Sequence, residues 1–282
     1  MKRAEFLKVG LALSLAPILH HQSNAAKIND SIRLLRHATL VVRLSGVRFL
    51  VDPMLSPKGA MDPVQNAKSS ERIPMVDLPT SNQELSDILA QADAVLITHT
   101  HRDHWDAIAQ NSIEKSKPIF CQPSDLNKIK ESGFTNVTSI SDQHKFQGIR
   151  IDRTNGKHGT GELGQRMGEV SGFVLTKGNK RIYIAGDTIW CDEVKSALNQ
   201  FKPTYTIVNA GGAQFNTGDP ITMTDSDVTE VVNAHPKGMV AAVHMDTINH
   251  CIVTRAILKE KLVAKGLDKK VAIPEDGEQF SI

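Results

Sequence analysis

The stretch that most limits how this chain can fold runs from Ala94 to Trp105. An apolar segment, Ala94-Val-Leu-Ile-Thr98, passes without a break into His99-Thr-His101-Arg-Asp103-His104. The apolar part reads as a buried strand. In extended chain His99 and His101 are two residues apart and share a face. Asp103 and His104 reach the same place only through a tight turn. Four residues of the types that ligate Zn²⁺ and similar metals thus fall within six positions. A polar turn after a strand accounts for one or two such residues, not for four.

Further strands are expected at Ile32–Leu35, Leu40–Leu44, Val47–Val51, Pro118–Cys121, Ile149–Arg153, Gly172–Thr176, Arg181–Ala185, Tyr205–Asn209, Met239–Val243 and Lys270–Ile273. Ser45-Gly46 between two of them signals a hairpin. Helical patterns cover Asn82–Gln91, Ser124–Ser132, Cys191–Gln200, Thr224–Ala234 and Val253–Lys265. Thr224, followed by Asp225 and Asp227, makes a good helix start, and Gly266 a good stop. Strands come first, then strands alternate with helices, in two passes. That order fits two packed sheets with helices outside. Two segments lack periodicity: proline-rich Pro53–Ser81 and glycine-rich Asn155–Ser171. Long aperiodic segments in a compact domain are often active-site loops.

Three more ligand-type residues lie elsewhere. His158 sits in Asn155-Gly-Lys-His-Gly-Thr-Gly161, where glycines let the backbone approach a metal closely. Asp187 follows a strand in Ala185-Gly-Asp-Thr188, and His244 follows another in Val243-His-Met-Asp246. Asp187 and His244, like His99, stand just past the end of an apolar strand. Several strands therefore deliver ligands to one edge. Asp246, His250 and His37 are weaker candidates near the site. Asp52 reads as holding a loop, Trp105 as pocket or packing, and Thr188 as bonding near the metal.

In this order, His99–His104, His158, Gly186-Asp187-Thr188 and His244 resemble the metallo-β-lactamase superfamily over essentially the whole chain after residue 25. Arg36-His-Ala-Thr-Leu40 and Val51-Asp52-Pro53 fit as well. The chain is most similar to the branch holding L-ascorbate-6-phosphate lactonase and N-acyl phosphatidylethanolamine phospholipase D. Asn209-Ala-Gly-Gly212, Gly218-Asp-Pro-Ile-Thr-Met223 and Asn249-His250 resemble a bacterial group of that branch. The resemblance implies an α/β fold, a four-layer αββα sandwich of two mixed β-sheets with outer helices. It implies a first metal on His99, His101 and His158 and a second on Asp103, His104 and His244, with Asp187 bridging. One or two Zn²⁺ ions are implied, and some members of the branch use one metal or Mn²⁺. The activity implied is hydrolysis of a small-molecule lactone, ester or phosphoester by a metal-activated hydroxide. Asp103 or Asp187 would orient the nucleophile or collect its proton, and His250 would serve the leaving group or contact substrate.

Charge helps to exclude partners. The chain has 33 basic and 31 acidic residues. Residues 1–25 read as a signal peptide: Lys2, Arg3 and Lys8, then apolar Val9–Leu19, then Ser23 and Ala25 before the cleavage point. Export to the periplasm or outside is therefore expected, with a cytoplasmic location as the alternative. Residues 26–282 form the hydrolase domain and carry 30 charges of each sign. No nucleic-acid partner is expected without a basic excess. The apolar run is too short for a stable membrane span. Oligomeric state cannot be read from the sequence. The competing readings are a phosphodiesterase acting on phospholipid or nucleic acid, and a metal-binding member without hydrolytic activity. A di-iron oxidoreductase lacks its electron-carrier domain here. The group resemblance points away from antibiotic cleavage: the second site of the classical lactamases includes a Cys, where Asp103 belongs to the set implied here. Cys121, Cys191 and Cys251 match no metal or redox spacing and read as buried small apolar residues.

Overall fold

The computed structural model describes residues 29–282. Residues 1–25, read above as a signal peptide, lie outside them. Among the described residues, fourteen strands form two sheets of seven.

The first sheet holds β1 (Ser31–Arg36), β2 (Thr39–Leu44), β3 (Val47–Val51), β4 (Ala94–Ile97), β5 (Ile119–Cys121) and β6 (Val137–Ser139). The second holds β7 (Gln143–Phe146), β8 (Ile149–Asn155), β9 (Ser171–Lys177), β10 (Lys180–Ile184), β11 (Tyr205–Asn209), β12 (Met239–Val243) and β13 (Val271–Ala272). The last strand, β14 (Gln279–Ser281), returns to pair with β1 in the first sheet. In each sheet hairpin-linked antiparallel strands come first. β1–β2–β3 then continue in parallel through β4, β5 and β6. Likewise β7–β8–β9–β10 continue through β11, β12 and β13.

Side-chain alternation sorts the layers. In β4, Ala94 and Leu96 enter the core between the sheets, while Val95 and Ile97 face outward. In β12, Ala241 and Val243 point inward and Val240 and Ala242 outward. The helices α1 (Asn82–Gln91), α2 (Ala107–Ser112) and α3 (Leu126–Glu131) cover the first sheet through Leu85, Ala109 and Ile129. The helices α5 (Asp192–Phe201), α6 (Asp225–Ala234) and α7 (Arg255–Ala264) cover the second through Val194, Val231 and Leu258. The expected four-layer sandwich is the architecture observed. No helix among the described residues is long and apolar enough to cross a membrane, and all three cysteines carry free thiols.

Some elements differ from the sequence reading. The segment Asn155–Ser171 is not aperiodic throughout, because α4 (Gly161–Met167) lies within it. This helix has two glycines and buries no side chain, so neither propensity nor amphipathicity announces it. β7 is an edge strand with one apolar residue, Phe146, and β14 has three residues paired far across the chain. Neither shows an apolar alternation.

The other loop, Pro53–Ser81, is pinned rather than loose. Buried Arg36 donates to the carbonyls of Met54, Ser56 and Val76. The carboxylate of Asp106 accepts from the backbone N–H groups of Leu55 and Ser56 and caps α2 at Ala109. Met54 and Ile73 pack on Ile248.

Candidate metal centre

The ends of β3, β4, β8, β10 and β12 meet at one rim, together with the β1–β2 turn. Strand C-termini are where open sheets expose side chains to ligands. Each tip needs a sharp change of direction. His37, Asp52 and His244 take it at positive φ (60°, 42° and 66°), a conformation that side chains other than glycine adopt rarely. Gly186 turns the chain after β10 at φ 70°. A Cβ there would lie 2.7 Å from the Ser171 carbonyl oxygen, so only glycine lets Asp187 point inward.

All seven expected ligands converge. Their donor atoms fall into overlapping sets: His99, His101 and His158; Asp103, His104 and His244, with His37; and His99, His104 and Asp187. Nε2 of His99 faces Nδ1 of His101 at 3.0 Å. The Nε2 atoms of His104 and His244 lie 3.3 Å apart. The Asp187 carboxylate lies between the two sets. Its oxygens stand 3.2 Å from His104, 3.3 Å from His244, 3.6 Å from His158 and 3.9 Å from His99. Asp103 Oδ2 is 3.6 Å from His244 and 3.7 Å from His104.

These spacings fit a cation. Donors held roughly 2.0–2.1 Å from a tetrahedral Zn²⁺ stand roughly 3.3 Å from one another. The donor set, imidazole and carboxylate, suits Zn²⁺ or a similar borderline metal. The seven residues are a His/Asp cluster that could bind metal.

The electrostatics agree. Burial pushes His99 well below the ordinary imidazole pKa and His158 down as well, so both present neutral rings. Burial alone would raise Asp103 and Asp187, yet neighbouring imidazoles hold both well below the carboxylate range. Burial would likewise lower His104 and His244. The neighbouring carboxylates together outweigh it, Asp187 foremost and Asp103 beside it, raising His104 to about 10 and His244 well above its usual value. Two buried carboxylates thus demand compensating positive charge, from protons or from a cation.

Four of the seven ligands are oriented from behind. Asp52 accepts from His104 Nδ1 at 2.9 Å, from the Thr98 hydroxyl at 2.7 Å and from the Thr98 N–H at 2.7 Å. The Thr98 hydroxyl meets His99 Nδ1 at 3.1 Å. His158 Nδ1 faces the Ile221 carbonyl at 2.8 Å, and Asn209 donates to Asp187 at 2.6 Å. Asp52 does more than hold a loop. It fixes two ligands, a role its place at a strand tip signals once the rim is recognised. Asn209, at the tip of β11, follows from the same rule.

The remaining candidates separate. His250 is buried beside the centre, 5.7 Å from the Phe215 ring, with Nδ1 unpartnered. Burial lowers its pKa to about 4, so the ring is neutral. Asp246 turns away from the cluster and binds the Arg255 guanidinium and N–H instead. Trp105 packs in the outer core against Phe134. Thr188 accepts from the N–H of Lys157 and so braces the loop before His158.

A cavity of about 460 Å³ opens over His101, Asp103 and Asp187, walled by Val64, Met167 and Phe215. A larger groove of about 650 Å³ follows α7 but contains none of the seven ligands. Asn249 fixes the wall contributed by the Pro53–Ser81 loop. Its Oδ1 accepts from the Val64 N–H, and its Nδ2 donates to the carbonyls of Val64 and Ser69. Asn249→Ala is therefore expected to raise KM about tenfold, about 1.4 kcal/mol of lost binding, with metal content unchanged. Steady-state kinetics beside metal analysis checks this. A loss of metal with unchanged KM would count against it.

Residues 47–245 match the beta-lactamase superfamily domain. UPF0173 protein YddR of Bacillus subtilis is 36% identical over 89% of this chain and 99% of its own length. Among solved structures, isothiocyanate hydrolase from Delia radicum gut bacteria shares 38% identity with a TM-score of 0.84, covering 89% of this chain and 99% of that one. A possible metal-dependent hydrolase from Veillonella parvula shares 36% with a TM-score of 0.87, covering 90% and 100%. The fold and the rim of histidines thus have a lineage: this chain belongs to the beta-lactamase superfamily, as a metal-dependent hydrolase of the metallo-β-lactamase fold.

Proposed function

We propose that this chain hydrolyses a compact small molecule at an electrophilic carbon, with an isothiocyanate as the first candidate and a lactone or ester next. The observation that carries this reading is the cavity. It is small, its walls at Val64, Met167 and Phe215 are apolar, and its floor is the His/Asp cluster. The 38% identity to an isothiocyanate hydrolase supports the first candidate.

Both ligand sets would hold divalent cations, His99, His101 and His158 one, Asp103, His104 and His244 the other, with Asp187 shared. Bound there, such a cation would acidify a water to a pKa of about 7 and polarise the atom under attack. The chain's own residues do the rest. Ionised Asp103 and Asp187 orient the attacking water and accept its proton. Neutral His250 donates a hydrogen bond to the developing leaving atom. With an isothiocyanate, the water oxygen bonds to the central carbon and the carbon–nitrogen bond breaks. Both water protons end on nitrogen, giving an amine and carbonyl sulfide.

A second reading, a small phosphoester, is favoured by Arg102 on the cavity rim, held by its hydrogen bond to the Asp62 carbonyl. The test is a panel of an alkyl isothiocyanate, a lactone, an aryl ester and a phosphodiester, each with metal-free and Zn²⁺- or Mn²⁺-loaded protein. Metal-dependent amine release is expected. Turnover confined to the phosphodiester would overturn the first reading in favour of the second.

A further inference from the structure

We propose that His37 is a positioning residue that keeps the Asp103–His104–His244 half of the centre ready to take a cation. The inference rests on the reading of that half as a metal site.

His37 lies in the β1–β2 turn, distant in sequence from every ligand, and is fully buried. Three contacts tie it to this half alone. Its Nε2 faces Asp103 Oδ2 at 3.3 Å. Its ring lies on that of His244, with centroids 3.6 Å apart. Its carbonyl accepts the His244 backbone N–H at 2.9 Å. The backbone bears φ 60° to make all three contacts together, the kind of conformation that persists where surrounding structure over-determines it.

The other ligands show why this matters. His99, His104, His158 and Asp187 are each held from behind by Thr98, Asp52, Ile221 or Asn209. Asp103 has one hydrogen-bond partner among the described residues, and it is His37. Among the described residues His244 has behind it only the Cys251 sulfur, 3.6 Å from Nδ1, a weak acceptor. Asp103 is also the more exposed of the two carboxylates, at 13% against 4% for Asp187, and so has the most freedom to swing away. With Nε2–H donated to Asp103, the buried Nδ1 that lacks a partner is the unprotonated nitrogen. No N–H is then orphaned. Partners of this kind typically govern metal affinity by about 10–100-fold.

The test titrates Zn²⁺ into chelator-stripped protein and counts bound ions by plasma emission. Wild type, His37→Asn, His37→Phe and His37→Gln are compared, each with a circular-dichroism melt. Asn tolerates the left-handed backbone but falls short of Asp103. Phe keeps the ring on His244 and removes the donor. Either variant suffices if the other fails to fold. The expected result is an unchanged first ion and a second bound about 10–100-fold more weakly, partly restored by Gln, whose amide reaches further. Unchanged second-ion affinity in Asn or Phe overturns the proposal, as does equal weakening of both ions or the absence of rescue by Gln. A wild type that binds one ion, or full metal content after His99→Ala and His101→Ala together, would sink the underlying two-site reading instead.

Discussion

Asp187→Ala is expected to lower turnover by about three orders of magnitude and to strip the protein of metal. Its carboxylate stands within 3.2–3.9 Å of His99, His104, His158 and His244, so both ligand sets lose a donor at once. Polarisation by a bound cation contributes several kcal/mol to such reactions, and each 1.36 kcal/mol is about a decade in rate. Asp187→Asn should fare little better, because the amide keeps the shape and loses the charge. That charge also sets the state of the metal-free protein. Asp187, with Asp103, holds His104 at about 10 and His244 above its usual pKa, so protons occupy this half at pH 7 and a cation must displace them. Metal uptake should therefore release protons and tighten as pH rises. The sign for stability is the reverse. A folded pKa above the unfolded one means stability that is complete below about 6.5 and fades as pH rises through about 10. Metal-free wild type should lose this increment between those values, and Asp187→Ala should show a smaller one, held by Asp103 and Asp52 alone. Plasma emission, calorimetry in buffers of different ionisation heat, and melts across pH measure all three. A variant that keeps its metal and turns over within tenfold of wild type would contradict the assignment.

How much of this was legible in advance depends on whether a residue's signal is local. His99–His104 announce themselves because an apolar strand ends in four ligand-type side chains. His158, Asp187 and His244 carry no such signal singly and became readable only through their order and the family resemblance. The layers were legible because β4 and β12 are strongly apolar, and the paired sheets follow from two passes of strands. What stayed hidden is long-range or poorly patterned. Nothing in Gln279–Ser281 points to Ser31–Arg33, and α4 is assembled from glycines and exposed side chains. The loop Pro53–Ser81 reads as irregular, yet Arg36, Asp106 and Asn249 fasten it from three distant places. Asp246 misled for the opposite reason: closeness in sequence to His244 says nothing once φ at both residues is positive and the chain turns back. Asp52 was legible as a turn residue, but its role needed the rim.

Asp52→Ala should be the most damaging change at a residue that meets no substrate. The carboxylate is 1% exposed and accepts three hydrogen bonds, from the Thr98 N–H, the Thr98 hydroxyl and His104 Nδ1. Since the Thr98 hydroxyl donates to Asp52, it accepts from His99 Nδ1. One carboxylate therefore sets the tautomer of a ligand in each half, leaving both Nε2 atoms free for a cation. Removing it strands buried donors at about 1–3 kcal/mol each. A net loss of about 3 kcal/mol would lower Tm by roughly 6–12 °C in a domain of this size. Metal affinity should drop about 10–100-fold, and at both ions rather than one, which separates this residue from His37. Asp52→Asn sharpens the test. Its amide retains one acceptor oxygen but turns an N–H toward groups that are themselves donors, so it should recover volume without recovering affinity. Melts of the metal-free variants isolate the structural part and Zn²⁺ titration isolates the orienting part. Were Asp52→Asn to bind both ions within threefold of wild type, the tautomers of His99 and His104 would have to be set by something other than this carboxylate, and the strand tip would be no more than the turn it resembles in sequence.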